Sequence, residues 1–182
     1  MRETLKLIAV LTVIALLVGL MIATAEMVTR RPIKEALARA EMAAVREVLP
    51  QGVPEPEERW VIMADGTSNK VYIAGRAIAL EASSTKGYGG TIRVMFGFDE
   101  GGRLYNYTVL DHRETPGLGD KIKDVFKTSV TNRPATTVWR VKKDGGKIDA
   151  ITAATVSSRA MLDAIERAYQ IRERALKMKN EK

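Results

Sequence analysis

The sequence predicts an α+β protein: one N-terminal transmembrane helix, followed by a domain in which helices pack on an antiparallel sheet. Three stretches predict this fold. Residues 7–25 are uncharged and almost wholly apolar, residues 91–98 place apolar side chains at every second position, and residues 152–177 place them at helical spacing. These are the patterns of a membrane-spanning helix, a half-buried strand and an amphipathic helix.

The composition limits the chemistry that the side chains can perform. The chain has 182 residues, no cysteine and a single histidine, His112. The lack of cysteine excludes disulfides, thiolate zinc sites and iron–sulfur ligation by this chain, and one histidine argues against a histidine-rich metal site. We therefore predict no metal site and no catalytic residue, so that redox chemistry would need an organic cofactor. The net charge is +7, but the basic residues are interspersed with acidic residues rather than clustered. This distribution does not favour nucleic acid as a partner.

The apolar run is expected to be a retained membrane anchor. Its 19 residues would span roughly 28 Å as a helix, close to the thickness of the hydrocarbon core. The alternative is a cleaved signal peptide, for which residues 23–25 would be a small-residue cleavage site, but the run exceeds the usual apolar region of about 7–15 residues. Basic residues flank both ends and leave the orientation undecided: Arg2 and Lys6 before the run, and Arg30, Arg31 and Lys34 after it.

Beyond the anchor the sequence predicts a stalk helix over residues 33–49, with Pro32 in its first turn and residues 50–52 ending it. Residues 52–58 contain two prolines and predict a linker. The predicted organisation is therefore an anchor at 1–26, a stalk helix and linker at 27–58, and a folded domain at 59–182.

Within that domain the pattern predicts three strands, over residues 71–80, 91–98 and 104–110. The turn-forming residues 99–102 join the last two. A second hairpin is predicted over residues 138–148, with its turn at 144–146, and the closing helix is predicted from about Thr152 to Lys177.

Residues 149–155 (Asp-Ala-Ile-Thr-Ala-Ala-Thr) lie where a strand is expected to lead into that closing helix. Thr152 would be its N-cap, and the alanines at 153 and 154 would allow a group to approach the first helical turn. Helix N-termini favour phosphate, and Thr155 and Ser158 would add hydroxyls on one face. The alternative from these residues alone is an ordinary capped helix.

Two glycine-containing stretches accompany this motif. Residues 112–121 contain Pro-Gly and then Leu-Gly, which predicts a tight loop whose Leu118 would be exposed unless a flat ligand covers it. Residues 86–91 include Gly-Tyr-Gly-Gly before a strand. Taken separately, the first could be a surface loop and the second a simple turn.

In this order, Gly-Tyr-Gly-Gly, His-Arg-Glu-Thr-Pro-Gly-Leu-Gly and Asp-x-x-Thr-x-Ala-Thr resemble the FMN-binding domain of the G subunit of Rnf electron-transport complexes. The C subunit of the sodium-pumping NADH:quinone reductase is a related protein. The resemblance covers residues 70–175, and the N-terminal anchor fits the same architecture.

The resemblance implies that Thr155 is esterified to the phosphate of FMN by a flavin transferase that uses FAD and magnesium. The loop from Thr115 to Gly119 would line the isoalloxazine ring, with Tyr88 as a wall. The expected cofactor-binding residues are Tyr88, Glu114, Thr115, Gly117, Leu118, Gly119, Thr152, Ala153, Ala154, Thr155 and Ser158. This chain departs from the family at Ala153, where glycine is common.

The resemblance further implies an electron relay in the cell (inner) membrane, with the FMN domain on the extracytoplasmic side. Its partners would be other subunits that carry flavin or iron–sulfur centres, and any enzyme activity, of the ferredoxin–NAD type, would belong to the assembled complex. We expect His112 to be structural rather than a proton donor, and Glu114 and Asp149 to hold backbone and transferase contacts. The alternatives are an FMN-binding sensory or maturation module of another membrane redox system, and a flavin-free anchored adaptor.

Overall fold

The computed structural model describes residues 1–180, with side chains described as far as Met178. By contacts within the chain, these residues divide into two compact units, the first comprising Met1–Met42 and the second beginning at Ala43. The second unit begins 16 residues before residue 59, the predicted start of the folded domain.

The first unit is formed by a single long helix, α1 (Arg2–Val48), whose last turn already belongs to the second unit. The helix predicted over residues 33–49 is present, but it is the end of α1 rather than a separate element, because α1 continues through Pro32. Strong helix formers lie on both sides, so the one hydrogen bond that proline cannot donate does not end the helix. The apolar part of α1, with a mean hydropathy of 2.8 over 18 residues, is long and apolar enough to cross a membrane.

The second unit contains a five-stranded antiparallel sheet in the order β1-β2-β3-β4-β5, each strand paired with its neighbour along the chain. The strands are β1 (Glu57–Ile62), β2 (Ser68–Ala74), β3 (Ala77–Gly87), β4 (Gly90–Phe98) and β5 (Leu104–Asp111). Such a meander needs only short turns between strands.

The strand predictions need three corrections. The run predicted as one strand over residues 71–80 is two strands, because the chain reverses at Gly75, whose φ is 66°. Strand β1 begins at Glu57, inside the predicted linker, and its exposed edge position leaves only Val61 buried, so the sequence shows no alternation there. Residues 138–148 do not form a hairpin, because a 3₁₀ turn at Lys142–Asp144 leaves a single bridge between Val141 and Ile148.

Helix packing differs between the two faces of the sheet, with the C-terminal helix on one face and only the end of α1 on the other. The long helix α3 (Thr155–Asn180) follows a short α2 (Lys127–Val130) and a 3₁₀ turn at Gly119–Lys123. It shares one buried core with the alternate residues of β4 that the sequence placed on one face, Ile92, Val94, Phe96 and Phe98. On the other face Gly97 lies against the backbone of Val48, where a Cβ would overlap the Val48 carbonyl. The last turn of α1 is therefore part of this domain's packing.

Candidate functional site

A cavity of about 530 Å³ lies at the N-terminus of α3. Three chain segments line it, and they are the three that the sequence singled out: the β3–β4 turn, the loop after β5 and the start of α3. The lining residues are Tyr88, Glu114, Thr115, Leu118, Gly119, Ala153, Ala154, Thr155, Val156 and Ser157. Segments up to 70 residues apart in sequence thus form one concave surface, which is the usual form of a small-molecule site.

The helix start differs from the prediction. Thr152 is not the N-cap, because Ala153 has a φ of 61°, in the left-handed region that no helical residue adopts. Residues 151–154 instead form a turn, in which the Ala154 amide donates to the Ile151 carbonyl at 3.0 Å. The Ser158 amide then donates to the Ala154 carbonyl at 3.0 Å, so α3 begins at Thr155. The turn brings Thr155, rather than Thr152, to the first helical position.

Three of the expected cofactor-binding residues lie outside the cavity lining. Thr152 borders a neighbouring depression of about 290 Å³ with Asp149 and Lys121. Ser158 is fully buried, and its hydroxyl both donates to the Ala154 carbonyl and accepts from the Ile151 amide, each at 2.9 Å. Gly117 supplies a positive φ of 75° in the loop. These residues shape the turns around the cavity rather than its surface.

Glu114 joins the three segments. Its side chain is buried, with 5% of the residue exposed. One carboxylate oxygen accepts from the Gly89 amide at 3.1 Å, and the other accepts from the Ser157 hydroxyl at 2.5 Å. Both oxygens act as acceptors, which is the hydrogen-bonding pattern of a carboxylate. A single side chain therefore connects the β3–β4 turn, the loop after β5 and α3.

Glycines clear the space that this carboxylate occupies. A Cβ at Gly87 would lie 2.6 Å from Oε1 of Glu114, and a Cβ at Gly119 would lie 2.7 Å from its Oε2 and 2.6 Å from the Ser157 Oγ. A Cβ at Gly89 would overlap the Arg113 carbonyl. A Cβ at Gly87 would also overlap the Gly90 carbonyl oxygen, so backbone packing requires glycine at 87 and 89, whereas Gly119 leaves room for Ser157 and Glu114.

Apolar side chains that are otherwise exposed border the cavity. Tyr88, Leu118 and Val156 are 75%, 41% and 43% exposed, and all three line it. An apolar rim beside a few fixed polar groups suits a flat, largely apolar ligand with one polar end. Val156 and Ser157 were not predicted as site residues. The signal available in the sequence was their position directly after Thr155 in the first helical turn.

Further contacts support the cavity walls. Asp163 of α3 accepts from the Ser84 hydroxyl at 2.6 Å and pairs with Lys86 at 2.5 Å, beside the β3–β4 turn. Burial alone would raise the pKa of Asp163, but the hydrogen bonds from Lys86 and Ser84 outweigh it and the pKa is lowered. In the loop after β5, Nδ1 of His112 accepts from the Glu114 amide at 3.1 Å, so the imidazole is hydrogen-bonded within its own loop.

Comparison with known proteins agrees with this arrangement. The family model of the FMN-binding domain matches residues 87–170, a range that contains every residue lining the cavity. The second unit is thus an FMN-binding domain, and α1, by its length and composition, can anchor it in a membrane.

Full-length similarity identifies the family. The G subunit of the ion-translocating oxidoreductase complex of Cereibacter sphaeroides is 35% identical over 175 residues, which cover 88% of this chain and 80% of that protein. The corresponding G subunits of Stutzerimonas stutzeri and Photorhabdus laumondii are 35% and 30% identical, over 94% and 86% of this chain and 79% and 84% of their own lengths. The chain belongs to the family of G subunits of Rnf-type ion-translocating oxidoreductase complexes.

Proposed function

We propose that this protein is a membrane-anchored electron-transfer subunit that holds FMN through a phosphoester bond to Thr155. The observation that carries the proposal is the position of Thr155, at the first residue of a 26-residue helix and in the wall of the cavity. Family membership supports the electron-transfer role, and the turn at residues 151–154 supports the choice of threonine.

The residues present fit such a cofactor. The volume of about 530 Å³ lies within the usual range of roughly 300–1,000 Å³ for cofactor sites. Tyr88, Leu118 and Val156 would contact the apolar ring system, and the first amides of α3, which have no intrahelical acceptor, would face the phosphate. FMN, when bound, supplies reversible electron transfer, which the side chains of this chain do not.

The attachment reaction needs a separate flavin transferase with magnesium. The Thr155 hydroxyl oxygen would form a bond to the flavin-side phosphorus of FAD, the bond from that phosphorus to the AMP portion would break, and AMP and the hydroxyl proton would leave. The protein's contribution is to present the hydroxyl in the partly exposed first turn of α3. A covalent bond then keeps the cofactor at one place, which suits a relay because distances to neighbouring centres stay constant.

In the assembled complex the partners would be membrane subunits that carry flavin or iron–sulfur centres, in an oxidoreductase of the ferredoxin–NAD type. We propose that the FMN domain lies on the extracytoplasmic side, as the family resemblance implies. Accessibility of residues in the second unit to a membrane-impermeant protease in spheroplasts, which lack the outer-membrane barrier, tests that side, and cleavage only after lysis of the spheroplasts would contradict it.

The covalent site is tested by intact mass and by flavin fluorescence after denaturation, on protein made in a host with the transferase. The wild-type chain and Thr136→Ala, which removes an exposed threonine hydroxyl outside the motif and the cavity lining, should carry the mass of FMN less one water. Thr155→Ala should not. A Thr155→Ala chain that carries this mass would contradict attachment at Thr155.

A further inference from the structure

We infer that Glu114 is a positioning residue, which fixes the three walls of the flavin cavity and, by its negative charge, lowers the reduction potential of a flavin bound there. The inference rests on the proposed FMN-binding function. It assigns a role to the buried carboxylate and its partner Ser157 that the covalent bond at Thr155 does not explain.

The connectivity supports the positioning role. Glu114 contacts the Gly89 amide, next to Tyr88, and the Ser157 hydroxyl, two residues after Thr155. The ring-contacting wall and the phosphate-bearing helix turn are thereby tied to one side chain. Without it the Gly89 amide and the Ser157 hydroxyl lose their buried acceptor, and the walls are free to separate.

Glycines leave room for the Glu114 side chain. A Cβ at Gly87 would lie 2.6 Å from its Oε1 and a Cβ at Gly119 would lie 2.7 Å from its Oε2, and the Glu114 side chain also lines the cavity. The carboxylate is held in place and borders the ligand space.

The charge has a separate consequence. A fixed negative charge in a partly buried wall opposes the arrival of an electron nearby, because little water screens it. Among the described lining residues of the cavity Glu114 is the only acidic or basic side chain, so no cation in the lining offsets it. Removing the charge while keeping the shape should therefore make the bound flavin easier to reduce.

The experiment compares the full-length wild type with Glu114→Gln, Glu114→Ala and Ser157→Ala, each produced with the transferase. Glu166→Gln is the control, because it removes the same charge from an exposed position eleven residues along α3 from Thr155. Three quantities are measured: covalent FMN by intact mass, reduction potential by spectroelectrochemistry, and thermal unfolding of the flavin-free protein.

Glu114→Gln keeps an oxygen acceptor for Gly89 and an isosteric shape, so it should load FMN within about twofold of the wild type and show a more positive potential. Glu114→Ala should load about tenfold less, because the reacting group is misplaced. Ser157→Ala should also carry less covalent FMN than the wild type, but the decrease should be smaller. This variant keeps the positioning role testable if Glu114→Ala does not fold. Glu166→Gln should match the wild type in all three measurements.

The two proposals fail separately. An unloaded wild type overturns the covalent function and this inference with it. A loaded wild type whose Glu114→Gln variant has an unchanged potential overturns the electrostatic role. Equal loading of wild type, Glu114→Ala and Ser157→Ala overturns the positioning role.

Discussion

At the scale of single residues, the site depends on backbone conformations that particular side chains favour or oppose. Ala153 holds a φ of 61°, and a non-glycine residue in this region carries roughly 1–2 kcal/mol of strain. The strain is retained because the turn that contains it places Thr155 at the first position of α3. Glycine at this position would adopt the same positive φ without cost.

The change Ala153→Gly should therefore raise the free energy of unfolding. Relief of strain is partly offset by the greater conformational freedom of glycine in the unfolded chain, which leaves a gain of up to about 1 kcal/mol. Denaturant unfolding of the flavin-free protein measures it. Ala154→Gly is the control, because Ala154 is buried and has no positive φ, and it should destabilise. A loss of stability in Ala153→Gly as large as in the control would contradict this account.

At the scale of elements, the sequence predicted the strands and helices whose buried side chains follow a regular spacing, either every second residue or one helical turn apart. The four alternate apolar residues of β4 and the apolar face of α3, including Met161 and Ile165, lie in the core as expected. The sequence analysis missed strand β1 and placed the start of α3 at the wrong residue. The first is an edge strand with little burial, and the second is set by a hydrogen-bonded turn that includes Ala153 rather than by a capping side chain.

The candidate site shows the same division. The motifs identified the three segments that line the cavity, because glycines and a threonine before a helix have local causes. They did not identify Ser157, because its role depends on Glu114, 43 residues earlier in the chain. Such a contact is visible only once the loop after β5 and α3 have been brought together.

Two tyrosine hydroxyls form hydrogen bonds that join α3 and the 3₁₀ turn to the sheet. Ionisation of these hydroxyls should lower the stability of the domain at high pH. The Tyr169 hydroxyl donates to the Arg133 carbonyl and accepts from the Leu104 amide, and burial raises its pKa to about 12. Burial likewise raises the pKa of Tyr107, whose hydroxyl donates to the Ile122 carbonyl. A raised pKa means that the unfolded chain releases these protons first.

Ionisation of these tyrosines should therefore leave the free energy of unfolding unchanged below pH 10. The free energy of unfolding should fall as the pH rises from 10 towards 12. Urea unfolding below pH 10 and near pH 12 checks the decline. Tyr169→Phe should lower stability at neutral pH through its lost hydrogen bonds and should show a shallower decline, with the remainder due to Tyr107. A decline as steep as in the wild type would show that Tyr169 does not titrate with unfolding.

At the scale of the whole molecule, the membrane-spanning helix and the folded domain share one continuous helix. The domain begins at Ala43, within α1, because Ala44, Val45, Val48 and Leu49 are buried in it. Sequence patterning placed the boundary at residue 59, since a proline-containing stretch precedes that residue. The packing of Val48 against Gly97 shows why the last turn of the helix cannot be treated as a separate stalk.

A chain of residues 43–182 should fold with the full sheet, whereas a chain of residues 59–182 should be markedly less stable. The shorter chain loses three large buried side chains and the first two residues of β1, and each buried aliphatic side chain contributes about 1.5–3 kcal/mol. Circular dichroism and thermal unfolding of the two chains measure the difference. Equal unfolding temperatures would contradict the boundary at residue 43.

The central claim is that the domain carries FMN on one particular hydroxyl, and peptide mapping tests it most directly. Trypsin cleaves after Lys147 and Arg159, so residues 148–159 are released as one peptide that contains Thr152, Thr155, Ser157 and Ser158. Fragmentation of that peptide from the native protein should place the mass of FMN less one water on Thr155. An unmodified peptide from a host with the transferase, or a modification on Thr152, would contradict the account.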